Sequence, residues 1–134
     1  MTYCIESRWL WFLARALLML MFVSSGLAKL LDYEGGLAEM RAAGLQPDWF
    51  FNVATAAVLL VASALVLLDR WLWLGAAALA VFLGLTILIV HTFWQFSDAA
   101  AKLSLMFAIE HLAVMGGLIS TAIASHYRRL WHAL

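Results

Sequence analysis

WLWFLARALLMLMFVSSGLAKLL, residues Trp9–Leu31, is apolar except for two serines and two cations, Arg15 and Lys29. A bilayer core about 30 Å thick needs about 20 predominantly apolar residues per helix, and this stretch has that length. Three more of the same character follow, at roughly 50–68, 71–90 and 103–125. The sequence therefore predicts an all-α protein: a four-transmembrane-helix bundle, forming one integral membrane domain over residues 1–134.

Composition agrees. The 134 residues are 66% hydrophobic and 12% charged, with a mean hydropathy of +0.97. A soluble domain carries about 25% charged residues, so this chain lacks enough of them to cover a water-facing surface. The formal net charge is zero, and nothing points to nucleic acid. Cys4 is the only cysteine, which excludes an internal disulfide, a dithiol redox centre and a thiolate-rich metal site. A cleaved signal peptide is not expected. The first apolar run is longer than an ordinary signal core, contains Arg15, and shows no small-x-small cleavage pattern before the polar loop.

With four spans, both ends of the chain and the short Asp69-Arg70 link share one side, together with Arg8, Arg128 and Arg129. Counting Lys and Arg near the spans, the positive-inside rule places both termini in the cytoplasm. Tryptophans mark both boundaries: Trp9, Trp11, Trp71, Trp73 and Trp131 on the inner side, Trp49 and Trp94 on the outer. Spans two and three turn tightly and must be antiparallel neighbours. In the longest loop, 35–43 has helical spacing, with Leu37 and Met40 opposed to Glu39 and Arg41. It reads as a short amphipathic helix on the outer surface, ended by Gly44, with Pro47 opening span two.

Helical spacing then places the charges. Arg15, Met19, Phe22, Gly26 and Lys29 recur at intervals of three and four, one face of span one. A stripe carrying Arg, Gly and Lys suits a bundle interior better than lipid. Phe107, Glu110, Val114, Gly117 and Thr121 share a face of span four in the same way. Gly26, Gly84, Gly116 and Gly117 are the expected helix crossings, because small residues let membrane helices approach closely.

A charge inside hydrocarbon costs at least about 2.5–3.5 kcal/mol, so such residues make a functional site the default reading. Lys29 closes span one at the outer side and Arg15 lies about 21 Å below it. Glu110 and His111 lie about 10–12 Å below the outer boundary if span four begins near Leu103. Lys29, His91, Glu110 and His111 are thus expected to form one outer cluster. Arg15 belongs to a separate inner layer, either bonding Ser63, Ser120 or Thr121 or snorkelling to the headgroups. Glu110 has too short a stem to snorkel. It is read either as a structural pair with Lys29 or as a proton-exchanging group with His111, and these two are the candidate catalytic residues. A metal or haem is not expected, since no HxxxH or ExxH spacing occurs and neighbouring Glu110 and His111 point about 100° apart on a helix.

These residues also carry a resemblance. ARALLMLMFVSSGLAKLLDYEGGLAEMRAAGL, with Arg15, Gly26-x-x-Lys29 and Gly44-Leu45, resembles the DoxX family of small four-helix membrane proteins. HTFWQFSDAAAKLSLMFAIEHLAVMGGLI, with His91, Gly116 and Gly117, is similar to the family's later segment, so the likeness runs over about 9–122. Two departures stand out. Glu110-His111 replaces a Lys-Asn pair common in the family, and 52–68 lacks the acidic residue that several members carry in span two. A charge swap, with Glu110 supplying that carboxylate, would account for both.

The resemblance implies a multi-pass subunit of the bacterial inner (cytoplasmic) membrane, associated with oxidoreduction and a protein partner or second copy. It also implies a quinone ligand in the outer half of the bundle. Lys29 and His111 would then hydrogen-bond ring oxygens, with His91 beside them, Glu110 would exchange protons, and Arg15 would anchor the inner layer. Electrons would come from a partner. Two alternatives stand beside this reading: a non-catalytic membrane adaptor or assembly partner of a redox or transport complex, and a small proton-coupled carrier using Glu110.

Overall fold

The computed structural model describes residues 5–133, without the side chain of His132; Cys4 lies outside the described residues. Five α-helices follow in order: α1 (Arg8–Leu31), α2 (Tyr33–Ala42), α3 (Asp48–Leu67), α4 (Leu72–Ile89) and α5 (Asp98–His132). A 3-10 turn, Phe93–Gln95, precedes α5. Among the described residues there is no strand. Helices α1, α3 and α5, and α4 with its following turn, are each long and apolar enough to cross a membrane. The protein is an all-α membrane bundle.

Local chemistry sets the boundaries. The Ser7 hydroxyl accepts from the Trp9 amide at 3.3 Å and opens α1. Asp32 closes α1, its amide donating to the Ala28 carbonyl, and opens α2, its carboxylate accepting from the Gly35 amide at 3.2 Å. Gly44, at φ +74°, ends α2 in the left-handed conformation that glycine adopts without steric cost. Pro47 is the cap residue of α3. Asp69 and Trp71 both take positive φ, 53° and 50°, and this reverses the chain between α3 and α4.

The helices pack as a meander, α1 on α3, α3 on α4 and α4 on α5, with only a narrow contact between α1 and α5. Met19, Phe22, Leu59, Val66, Leu72, Leu79, Leu83 and Leu118 fill the centre. The buried residues of α1 are the expected stripe itself: Arg15, Met19, Phe22, Gly26 and Lys29. Gly26 is a true crossing, since a Cβ there would lie 2.9 Å from Leu60 Cγ. Gly117 lies against Leu18. Gly84 and Gly116 face open space and mark no crossing, whereas unpredicted Gly75 does: its Cβ would meet the Ala62 carbonyl oxygen at 2.6 Å.

The expected inward face of α5 is turned in only in part: Val114, Gly117 and Thr121 are half-buried, Val114 against the core and Gly117 against Leu18, while Phe107 and Glu110 are exposed. The buried residues of α5 are Ser104, Ala108, Leu118 and Ser125. Large apolar side chains elsewhere, such as Leu17, Leu20, Val61, Val81, Leu88 and Leu112, lie on the outside, the surface that a lipid environment covers.

Candidate functional site

Two polar layers cross the bundle, separated by the height between Arg15 and Lys29, about 21 Å of α1. At the layer beneath α2, Lys29 is 7% exposed. Its ammonium pairs with Glu39 of α2, whose side chain is 66% exposed. Asn52 of α3, fully buried, donates its amide to the Lys29 carbonyl at 3.0 Å. Among the described residues the Asn52 Oδ1 has no hydrogen-bond partner, and it packs against Gly36, where there is no room for a side chain. Ser25, Ala28, Lys29, Asp32, Gly36 and Glu39 enclose a cleft of about 60 Å³. Arg41 donates to Asp48 at 2.6 Å and ties the end of α2 to the start of α3. Helix α2 is thus fastened to the bundle at both α1 and α3.

The expected outer cluster divides. Lys29 bonds Glu39, not Glu110, and no hydrogen bond or ion pair of Glu110 forms among the described residues. The cause lies in helix order. Helix α1 packs on α3 and α5 packs on α4, while α1 meets α5 at Leu18 with Gly117 and at Trp11 with Arg128, in the half away from Lys29. The carboxylate that span two lacks comes from Glu39 on α2, so the charge swap with Glu110 is not what the structure shows. Glu110 is also less deep than expected. Ser125 bonds Asp69 at the opposite end, and fifteen residues of helix lift Glu110 about 22 Å above it, level with Lys29.

His91 and His111 do meet. Their rings stand edge to face at 4.9 Å, and His91 stacks on Phe107 at 5.1 Å. Because α5 begins at Asp98 and not near Leu103, Phe107 and His111 come level with the end of α4. Among the described residues no three of His, Cys, Asp and Glu converge to hold a metal. Against pockets of about 300–1,000 Å³ for ring-sized ligands, the cleft of about 60 Å³ beside Lys29 does not fit a quinone while α2 is in place.

At the other layer Arg15 reaches neither Ser63, Ser120 nor Thr121. Its Nη1 donates to the carbonyls of Val66 at 3.1 Å and Leu67 at 2.7 Å, and its Nε to the Trp11 carbonyl at 3.3 Å. The last four carbonyls of a helix lack intrahelical donors, and Arg15 caps the end of α3 with a positive charge where the helix dipole is negative. Ser120 and Thr121 instead donate back to Gly116 and Gly117 of their own helix. The buried Ser63 Oγ has no hydrogen-bond partner among the described residues.

Next to this cap sits Asp69, in the tight link between α3 and α4. Trp11 Nε1 donates to its Oδ2 at 2.8 Å and Ser125 Oγ to its Oδ1 at 2.7 Å. Arg129 donates to Ser125 at 2.9 Å and stands 3.7 Å from Asp69. The Arg15 and Arg128 guanidinium groups lie 5.0 and 5.5 Å from the Trp11 ring centroid. Ser125 carried a signal: Ser104, Ala108, His111, Met115, Leu118, Ala122 and Ser125 alternate spacings of four and three, a second helical face with fewer bulky residues. The charges also segregate by layer. Arg8, Arg15, Arg70, Arg128 and Arg129 face Glu6 and Asp69 at this end, while six carboxylates and three cations lie at the α2 end.

No curated protein and no solved structure matches the chain significantly. The DoxX family model matches residues 10–92, which takes in Arg15, Gly26, Lys29, Asn52, Asp69 and His91 and ends before α5. Most of the chain lies inside that match, including both polar layers of α1: the protein belongs to the DoxX family.

Proposed function

We propose that this chain is a non-catalytic membrane subunit that holds a partner protein of a redox complex, the oxidoreduction implied by the family resemblance residing in the assembly. The observation that supports this is where the buried polar groups are spent. Arg15 binds the end of α3, Asp69 gathers Trp11, Ser125 and Arg129, and Lys29 holds α2 through Glu39. Each joins helix to helix within the chain. The large apolar outer surface, with Glu110 on it, is left to lipid and to a partner. The five-arginine end faces the cytoplasm of a bacterial inner membrane, following the preference of basic residues for that side.

A photo-crosslinking amino acid at exposed Ala113, beside Glu110, tests the adaptor role in native membranes. The expected result is one adduct of constant mass, with native mass spectrometry of the mildly solubilised protein showing the same partner and no ring ligand. A stoichiometric quinone retained without any adduct would overturn the reading. A C-terminal reporter active outside the cytoplasm would overturn the orientation.

A further inference from the structure

Between α4 and α5, at the Asp69 end, runs a groove of about 690 Å³ lined by Trp73, Ala122, Ile123, His126, Tyr127 and Arg129. We propose that it binds an anionic phospholipid, the phosphate against His126 and Arg129 and an acyl chain along Ala122, Ile123 and the Trp73 ring. This inference does not rest on the adaptor reading.

Size, wall chemistry and charge support this occupant together. The volume lies within the usual range for pockets that bury an organic ligand. Trp73 and Tyr127 are 62% and 58% exposed, and such rings favour the depth where acyl chains give way to headgroups. Along α5 the lining runs from apolar Ala122 and Ile123 to polar His126 and the cation Arg129, the polarity order of a lipid read from tail to phosphate.

Among the described residues no carboxylate lines the groove. Asp69, 3.7 Å from Arg129, already accepts from Trp11 and Ser125. Arg129 uses Nη2 for Ser125 and its side chain is 51% exposed, so other donors of its planar fork remain for a phosphate. The groove also sits at the end where five arginines oppose two carboxylates. Those full charges outweigh the partial negative charge at the C-terminus of α5.

The test is native mass spectrometry of the full chain released from nanodiscs holding equal phosphatidylglycerol and phosphatidylcholine with identical chains. The expected result is one phosphatidylglycerol retained with at least about tenfold preference. His126→Gln with Arg129→Gln should abolish the preference. Arg70→Gln, at the same end but outside the groove, should keep it. Because Arg129 also braces Ser125, Ile123→Trp is the second probe: it fills the groove without touching that bond and should exclude the lipid at unchanged melting temperature.

Equal retention of both lipids would overturn the proposal. So would loss of preference in Arg70→Gln, which would mean diffuse charge, or undiminished retention in Ile123→Trp. Displacement by an isoprenoid benzoquinone, or equal binding of glycerol phosphate without chains, would likewise assign the groove to another ligand.

Discussion

The Trp11 indole donates to the Asp69 carboxylate at 2.8 Å across 58 residues of chain, joining the first turn of α1 to the tight reversal between α3 and α4. The other oxygen of Asp69 accepts from Ser125 of α5, so one carboxylate gathers three segments. A hydrogen bond to a charged group contributes about 1.5–3 kcal/mol. Asp69→Asn, which removes the charge, should lower unfolding stability in detergent by about 2–3 kcal/mol, and Trp11→Phe by less. In a double-mutant cycle the two should be clearly non-additive. Additive losses would mean that the bond contributes nothing.

Arg15→Leu should weaken the fold even though it removes a charge from an apolar span. The Leu67 carbonyl of α3 loses its donor and the Val66 carbonyl keeps the Asp69 amide, at about 1–3 kcal/mol for a buried group left unpaired, while the gain of about 2–3 kcal/mol on removing the charge belongs to insertion. Membrane insertion should therefore hold or rise while the melting temperature falls. Arg15→Lys, with a single point of donation, should fall between the two proteins. An unchanged melting temperature in Arg15→Leu would contradict the capping role.

Lys29 distinguishes its two possible acidic partners. Glu39→Gln removes its counter-charge and should destabilise the protein, whereas Glu110→Gln should change stability by less than about 0.5 kcal/mol, as at other exposed positions. Breaking a buried pair costs about 3–5 kcal/mol, and the exposure of Glu39 puts this pair well below that range. The Lys29→Met, Glu39→Leu double variant should recover most of the loss. If Glu110→Gln proved the more damaging, the pairing would be wrong.

Glycine substitutions read the helix crossings directly. Gly75→Ala drives a methyl group into the Ala62 carbonyl and should cost about 1–3 kcal/mol, the usual range for overpacking. Gly84→Ala and Gly116→Ala meet open space and should be neutral or stabilising by up to about 1 kcal/mol. Melting curves of the three proteins in one detergent give the order.

The spans, the surface helix ended by Gly44, and the inward stripe of α1 were all determined by the sequence alone. Each depends on local geometry, and on α1 Arg15, Lys29, Gly26 and two bulky residues fall on one side of a single helix. On α5 the face of Glu110 is only half inward, Val114, Gly117 and Thr121 being half-buried and Phe107 and Glu110 exposed. Lipid is as apolar as a protein core, so hydrophobic contrast does not mark which side of a membrane helix is buried. Two faces of α5 have regular spacing, and the charge of Glu110 does not mark the buried one. Only the tertiary structure decided that α1 packs on α3 while α5 packs on α4, which separates Lys29 from Glu110 and gives it Glu39. The same arrangement brings His91 to His111, and Trp11 and Ser125 to Asp69, contacts between residues 20 to 58 positions apart that no local period can encode.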